Sequence, residues 1–258
     1  MKDVNLSDSF PILANKYIYI WIDILGFRNE LEKGNEKIYK DLFNIREEFF
    51  NKFHNKLKNH TEDIFQISDG LVIVCKIGID FKELIELIAE LQINFILERK
   101  KLIRGAISLG TISKELYEKY KNNKNDGRKS DVFLISDGLI KAFKLESEYV
   151  QWPVIATAEE VLGELRKIRS IYNENELFSL KRMFGTNIGF LYFIDFLDKL
   201  YDNEKEKFEN FLEESIRKYE NEKRIFEKYY WLLKYYKKKK GKPENNYLLS
   251  ITGDEVYG

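Results

Sequence analysis

The chain has 258 residues, of which 44% are apolar and 15% aromatic, enough for one large domain with a substantial buried core. Lysine plus arginine and aspartate plus glutamate are equal at 43 each, which argues against a general nucleic-acid binder and predicts no stable nucleic-acid partner. The single cysteine, Cys75, excludes an intramolecular disulfide and, within an apolar run, is expected to be an inert buried thiol.

Targeting segments are not expected. Residues 1–16 form a polar lead without the basic-then-apolar pattern of a signal peptide. No apolar run approaches the ~18 residues that a membrane helix needs. With two histidines and no Cys/His cluster, neither a zinc site nor histidine-based catalysis is expected. The sequence therefore predicts a cytoplasmic protein without a membrane partner.

The first predicted strand lies in Tyr17–Phe27. Isoleucines alternate with aromatic residues, so both faces are apolar, as in a central strand. The strand ends at Asp23 and turns at Gly26. Asp23 either caps the following helix or brings a carboxylate to a functional site at the end of the strand. The strand alone does not choose between these interpretations.

An amphipathic helix is predicted over 38–57, because apolar residues there recur every three or four positions. Two strands within 64–76 are separated by Ser68-Asp69-Gly70, which is typical of a tight hairpin turn. A second helix is predicted over 81–98. The strand predicted over 102–110 contains Gly105, which indicates close approach of another backbone or of a ligand.

The second half is predicted to contain an exposed loop at 115–130, a strand at 132–135, a helix at 136–148 and a strand at 154–156. Beyond residue 158 the pattern is mainly helical, with one strand within 186–194. Residues 203–240 predict a long packing helix with a charged face, or else a dimerisation surface. The predicted domains are 17–170, a helical extension packed on it at 171–240, and a tail at 241–258.

This order of elements is β-α-β-β-α-β, followed by β-α-β. It predicts an α+β fold with a ferredoxin-like or palm core, in which both early helices cover one face of an antiparallel sheet. Strict β-α alternation is broken by the 64–76 hairpin, and no Gly-x-Gly-x-x-Gly or Walker A sequence is present. A Rossmann domain is therefore not expected.

Two carboxylates carry the predicted chemistry. In a palm unit the first strand neighbours the hairpin, so Asp23 and Asp69 are expected to converge. Close carboxylates repel unless a cation bridges them, which makes the pair a natural magnesium site. Two metal ions can activate an attacking hydroxyl and neutralise a phosphate. The N–H groups of Leu25, Gly26 and Phe27, where a helix is expected to open, suit a triphosphate.

Short motifs along the chain resemble a known family. Pro153 and Lys228-Tyr-Tyr-Trp-Leu232 are similar to features of the bacterial Pycsar-type pyrimidine cyclases, a branch of the class III nucleotide cyclases, and the resemblance covers roughly residues 17–236. The motifs that resemble the wider class are Asp23-Ile-Leu-Gly-Phe27, Ser68-Asp69-Gly70, Arg104-Gly105-Ala106-Ile107 and Ala142-Phe-Lys-Leu-Glu146.

The resemblance implies a head-to-tail homodimer with active sites at the subunit interface, and two Mg²⁺ or Mn²⁺ ions bound at Asp23, Ile24 and Asp69. The 3′-hydroxyl of UTP or CTP would attack its own α-phosphate, releasing pyrophosphate and a 3′,5′-cyclic mononucleotide that serves as an anti-phage signal. The implied substrate-binding positions are Ile24, Leu25, Gly26, Phe27, Phe65 and Arg104.

Some positions depart from the family pattern. Phe65 stands where purine cyclases usually carry lysine, and Ile140 and Lys144 stand where asparagine and arginine are usual. Lys144 is the implied catalytic cation, although a lysine lacks the bidentate fork of arginine. Arg104 is either a guanidinium for phosphate or base, or part of a structural ion pair. Two other functions stay open: a degenerate cyclase-fold binding module, and a palm-type purine or oligonucleotide cyclase, whose hairpin usually carries two adjacent acidic residues.

Overall fold

The computed structural model describes residues 16–27, 44, 47–48, 51–53, 55–57, 60–112, 115, 136–168, 180–186 and 189–241. The strands are β1 (Lys16–Ile24), β2 (Thr61–Ile67), β3 (Gly70–Lys76), β4 (Ile103–Thr111), β5 (Ile155–Ala158), β6 (Leu180–Thr186) and β7 (Gly189–Ile194). The helices with defined bounds are α1 (Phe81–Arg99), α2 (Asp137–Tyr149), α3 (Glu159–Ile168), α4 (Lys205–Lys218) and α5 (Lys223–Lys240).

The seven described strands form one sheet in the order β2-β3-β1-β4-β5-β7-β6. Strand β1 is antiparallel to both β3 and β4, whereas β4 and β5 are parallel. The first four strands thus have the ferredoxin-like order, and the expected α+β fold is confirmed. Phe53 and Leu57, from the region predicted as the first helix, pack in the same apolar cluster as α1, so both contribute to one face of the sheet.

Strand β1 is central and buried on both faces, as its sequence predicts. Ile18, Ile20 and Ile22 lie in the large core that includes α1. Tyr19 and Trp21 point the other way, into a smaller cluster that includes α2. Each fully buried side chain of this size contributes roughly 1.5–3 kcal/mol of transfer free energy, so the alternation fixes the register of β1 firmly. Asp23 continues the aromatic series and therefore belongs to the α2 face.

Close backbone contacts explain two positions of strand β4. A Cβ at Gly105 would lie 2.2 Å from the carbonyl oxygen of Trp21, so the predicted close approach is that of a neighbouring backbone. A Cβ at Gly110 would lie 2.3 Å from the Cα of Gly138, where α2 begins. The hydroxyl of Ser108 donates to the carbonyl of Gly138 at 2.5 Å. Helix α2 therefore lies directly on β4.

The C-terminal half differs from the prediction at two places. One strand was expected within 186–194, but the structure has the hairpin β6–β7, so the segment 171–240 contributes two strands to the sheet as well as helices. Strand β6 contains Lys181, Arg182 and Gly185 and lies at the end of the sheet. Charged residues and glycine are usual on edge strands, and they interrupt the apolar pattern that a sequence search relies on.

The prediction of one long helix over 203–240 is also wrong. The chain turns between Lys218 and Lys223, and α4 packs against α5. Aromatic rings join the two helices: Phe208 lies 5.3 Å from Tyr236, and Phe211 lies 5.8 Å from Tyr229. Such pairing brings the start of α4 next to the end of α5 and forms a helical hairpin. The apolar faces of both helices therefore pack against each other and against the core.

Several predictions concern residues outside those described: the lead before Lys16, His54, most of the loop at 115–130, the strand at 132–135 and the tail beyond Gly241. Cys75 is fully buried, and burial raises the pKa of its thiol to about 12, as expected for an inert cysteine. None of the helices within the described ranges has the length and hydropathy needed to cross a membrane.

Candidate active site

The candidate site is built around the last residues of β1. Asp23 pairs in register with Gly70 at the start of β3 and with Arg104 near the start of β4. Asp69 directly precedes Gly70 in the β2–β3 turn. The structure thus brings Asp23 and Asp69 to one edge of the sheet, close enough for the charge of Asp69 to contribute to raising the pKa of Asp23.

The β2–β3 turn holds Asp69 in place. Ile67 pairs with Gly70, so the loop consists of Ser68 and Asp69 alone, and Ser68 takes the left-handed conformation with φ 55°. The side-chain amide of Gln66 donates to the carbonyl of Ser68 at 2.8 Å and secures this conformation. Left-handed backbone costs an L-residue roughly 1–2 kcal/mol, so the turn stores a small strain beside the site.

Arg104 joins two carboxylates on the α2 face. Its Nε lies 3.2 Å from Oδ2 of Asp23 and also forms an ion pair with Oε1 of Glu146. Its Nη1 donates to the carbonyl of Val150 at 3.4 Å, just beyond the end of α2. Glu146 is only 3% exposed and Arg104 is 24% exposed, so the carboxylate of this ion pair is buried and the guanidinium is partly so. Arg104 therefore ties β1, β4 and the C-terminal end of α2 together.

Burial controls the electrostatics of this group. It is the main cause that raises the pKa of Asp23, opposed by the nearby Arg104 guanidinium. Burial also raises the pKa of Glu146 to about 7, with Arg104 opposing the rise and the charge of Asp23 adding to it. For Lys228 on α5, burial and then the charge of Arg104 lower the pKa. Groups that share a desolvated site and shift one another's pKa are characteristic of functional sites.

Helix α5 reaches this site through an aromatic contact. Trp231 stacks on Trp152 with ring centroids 5.3 Å apart and planes 6° from parallel. Trp152 lies in the connection between α2 and β5, two residues after Val150. Lys228 is one turn before Trp231, on the same side of α5. Asp23, Asp69, Arg104, Glu146 and Lys228 are referred to below as the Asp23 cluster.

The donors fit a divalent ion that binds together with phosphate. Within the described ranges, no three His, Cys, Asp or Glu side chains come together to hold a metal. Asp23 and Asp69 supply two carboxylates, and Ile24 follows Asp23 as the last residue of β1. Mg²⁺ is usually held by one or two carboxylates, water and substrate phosphates, without an all-protein cage. The site thus has the oxygen donors that Mg²⁺ or Mn²⁺ needs when phosphate completes the coordination.

The turn after Asp23 offers fewer free amides than the sequence suggests. The N–H of Leu25 donates to the carbonyl of Leu102 at 2.9 Å and so extends the β1–β4 pairing. Gly26 has φ 82°, and a Cβ built on it would meet nothing within 4 Å. Gly26 is therefore needed for its left-handed backbone and not for steric room. The N–H groups of Gly26 and Phe27 are left as the phosphate-binding candidates of this turn.

Phe65 and Lys144 are not members of the Asp23 cluster. Phe65 pairs with Val72 and is buried in the apolar cluster that contains Trp21. Lys144 is exposed on α2 two residues before Glu146, a spacing at which helical side chains point in different directions. Lys144 lines a cleft of about 240 Å³ between α2 and α3, whose lining contains no member of the Asp23 cluster.

Glu146 and Lys228 belong to the site but were assigned no role from the sequence. A signal for Glu146 was present: Leu139, Ala142 and Glu146 recur at helical spacing, which places an acid on the buried face of α2. Lys228 begins the motif Lys228-Tyr-Tyr-Trp-Leu232, but the motif does not show that the docking of α5 on Trp152 brings this lysine to the site.

Several solved structures that match part of this chain at low similarity are described as nucleotide cyclases. The adenylyl cyclase CyaB from P. aeruginosa has 15% identity over 70% of this chain and 93% of its own, with a TM-score of 0.41. The dimeric guanylyl cyclase domain of the RhoGC fusion protein from Blastocladiella emersonii has 12% identity over 70% and 96%, with a TM-score of 0.40. A bacterial light-regulated adenylyl cyclase has 14% identity over 73% and 54%, with a TM-score of 0.42.

No protein-family model matches the sequence, and no curated protein matches it at a significant level. The function proposed below is therefore supported by this chain's own residues.

Proposed function

We propose that the protein is a nucleotide cyclase, which converts a nucleoside triphosphate into a 3′,5′-cyclic mononucleotide and pyrophosphate. The observation that carries the proposal is the meeting of Asp23 and Asp69 at one edge of a ferredoxin-like sheet. Two carboxylates at the end of a central strand and in the adjacent hairpin suit phosphoryl transfer with Mg²⁺ or Mn²⁺. The bound ions would stabilise negative charge on the phosphate and favour ionisation of the attacking hydroxyl.

In this reaction the 3′-oxygen of the substrate forms a bond to the α-phosphorus, and the bond from that phosphorus to the pyrophosphate oxygen breaks. The hydroxyl proton leaves to solvent or to a nearby base. Asp23, Asp69 and the main chain of Ile24 would hold the metal ions. Arg104 orients Asp23 through its 3.2 Å contact, and the amides of Gly26 and Phe27 would bind the phosphates.

A head-to-tail homodimer is the assembly proposed with this function. Ile140 and Phe143 are 64% and 52% exposed on α2, an unusual exposure for large apolar side chains so close together. Lys144 lies next to them and lines a cleft that contains neither Asp23 nor Asp69. In a head-to-tail dimer, α2 of the partner would bring a lysine to the phosphates, which accounts for a proposed catalytic cation that lies outside the Asp23 cluster.

The proposed substrate is UTP or CTP, and the proposed role of the cyclic product is an anti-phage signal. The support for a pyrimidine lies in Phe65: a buried aromatic ring stands at the position where purine cyclases usually carry a lysine. Such a ring cannot donate a hydrogen bond to a purine. Both statements rest on the sequence resemblance, and the choice of substrate is tested with the cyclase activity.

Incubation of the purified protein with each of ATP, GTP, CTP and UTP, in the presence of Mn²⁺, tests the proposal by mass spectrometry of the products. The expected products are cUMP or cCMP with pyrophosphate. Asp23→Asn and Asp69→Asn keep the side-chain volume and should abolish product, whereas Asp202→Asn, at an exposed site on a distant turn, should not. The absence of cyclic product from all four nucleotides, with a folded protein, would overturn the proposal.

A second candidate function is a cyclase-fold module that binds nucleotide without turnover. The observation in its favour is that Asp23 is already paired with Arg104, and that no third acidic, histidine or cysteine ligand joins the two aspartates within the described part of the chain. This candidate predicts saturable binding of nucleoside triphosphate with no product. The same incubations, combined with calorimetric titration of UTP, separate the two functions.

A further inference from the structure

Helix α5 carries a lysine to the edge of the sheet where the two aspartates meet. Trp231 is only 4% exposed, and its stacking on Trp152 fixes α5 against the connection that follows α2. Lys228 lies one turn before Trp231. Its charge lowers the pKa of Asp23 and of Glu146, and the charge of Arg104 lowers the pKa of Lys228 in turn, so the four groups share one electrostatic environment.

The ammonium of Lys228 is not engaged by these carboxylates. Within the described ranges no carboxylate oxygen lies within 4.0 Å of its Nζ. Asp23 and Glu146 both form ion pairs with Arg104. Other lysines of α5 behave differently: Lys237 pairs with Glu213 at 3.2 Å, and Lys239 pairs with Asp195 at 2.7 Å. Lys228 is thus a half-buried cation without an ion pair among described residues. Lys234, also half-buried on this helix and without such a pair, instead lies over the ring of Tyr230 at 4.8 Å.

Such a cation needs an anion. Partial removal of an ammonium from water is unfavourable unless a negative group takes the place of the lost hydration. Arg104 supplies a second positive charge beside Lys228, and metal ions held by Asp23 and Asp69 would make the surroundings more positive still. A polyphosphate chain is the anion that would meet all of these charges at once, and each of its oxygens can accept from an ammonium.

We propose that Lys228 is a substrate-contacting residue that binds the polyphosphate of the nucleotide, so that the C-terminal helix α5 forms part of the active site. The inference rests on the proposed function in one respect, namely that the ligand is a nucleoside triphosphate. Its basis in the structure is separate: a half-buried lysine without an ion pair among described residues lies on a helix held by a tryptophan stack, and its charge acts on Asp23 and Glu146.

The experiment measures binding and turnover separately. Inorganic tripolyphosphate with Mn²⁺ is titrated calorimetrically into the wild-type protein, Lys228→Met, Lys228→Arg and Lys238→Met, and the kcat and KM for UTP and CTP are measured on the same samples. Lys238 is exposed on the same helix, so its replacement removes the same charge away from the cluster. Thermal unfolding of each variant is recorded to detect structural effects.

Lys228→Met should weaken the binding of Mn²⁺–tripolyphosphate by about tenfold or more, the usual consequence of losing a charge-assisted contact. Lys228→Arg should recover most of the binding, and Lys238→Met should match the wild type. The unfolding temperature of Lys228→Met should be equal or higher, since a half-buried ammonium without an ion pair among described residues is replaced by an apolar side chain of similar length.

Wild-type binding by Lys228→Met would overturn the inference. So would an equal loss in Lys238→Met, which would indicate only the net charge of the helix, or a lower unfolding temperature without rescue by Lys228→Arg, which would indicate a structural role. Binding that depends on Lys228 without any cyclic product would support the inference and refute the proposed function. Cyclic product from a Lys228→Met protein with unchanged KM and tripolyphosphate affinity would do the reverse.

Discussion

Glu146→Gln tests the electrostatics of the Asp23 cluster directly. The carboxyl of Glu146 is buried, and it is faced by Arg104 from β4, Asp23 from β1 and Lys228 from α5. Glutamine has nearly the same shape as the protonated acid but cannot ionise. The two proteins should therefore have similar stability at low pH and diverge as Glu146 loses its proton.

The size of this divergence follows from the change in pKa. The pKa of Glu146 rises from an ordinary value of 4.5 to about 7 in the folded protein. The folded state thus holds its proton more tightly than the unfolded state, so the group stabilises the fold fully below pH 4.5. That stability is lost as the pH rises toward 7 and stays lost above it. At 1.36 kcal/mol for each pH unit, the change amounts to about 3 kcal/mol.

Urea unfolding of both proteins between pH 4 and pH 8 measures the effect. We expect the free energy of unfolding of Glu146→Gln, relative to the wild type, to increase by about 3 kcal/mol across this range. Glu148→Gln provides the control, because Glu148 is exposed on the same helix and should leave the pH dependence unchanged. If the difference between wild type and Glu146→Gln stayed constant with pH, or changed in the opposite direction, the assigned burial of Glu146 would be refuted.

Two further predictions concern packing. Gly105→Ala would place a Cβ 2.2 Å from the carbonyl oxygen of Trp21 and should destabilise the protein by roughly 3 kcal/mol or prevent folding, measured by urea unfolding. Gly163 lies on a helix, and nothing lies within 4 Å of a Cβ added to it, so Gly163→Ala should be neutral or stabilising by up to about 1 kcal/mol. An equal loss of stability in both variants would contradict the steric explanation. The buried Cys75 should react with a thiol reagent only after unfolding; fast labelling of the native protein would show that the strand opens locally.

The fold could be predicted best where burial leaves a strong pattern in the sequence. Strand β1 is apolar on both faces, which only a central strand requires, and the structure has it between β3 and β4. Strand β6 was not predicted as a strand because it lies at the sheet edge, where charged residues and glycine interrupt the apolar pattern. The turn between α4 and α5 was not predicted, because apolar residues continue at helical spacing on both sides of it. No glycine or proline marks the break between the helices.

The candidate site was predictable to the extent that it depends on strand topology. Asp23 and Asp69 follow from the neighbourhood of β1 and a hairpin, a relation that the order of elements already specifies. The sequence predicted a role for the Arg104 guanidinium, but it did not predict that Glu146 pairs with it. This ion pair depends on the distance between α2 and β4. That distance is set by Gly110 and Gly138, which let the helix backbone come down onto the strand.

The same reasoning explains why two cations serve one cluster. Arg104 uses its Nε on Asp23 and Glu146 and one Nη on the main chain, so it is held by the protein and fixes the position of Asp23. A fixed guanidinium of this kind has little freedom left to follow a moving phosphate. Lys228, on a flexible four-carbon chain and without an ion pair among described residues, has that freedom. Because the two cations have different roles, replacing each by the other basic residue should have opposite effects. Arg104→Lys should disturb Asp23 and reduce metal affinity, whereas Lys228→Arg should preserve phosphate binding.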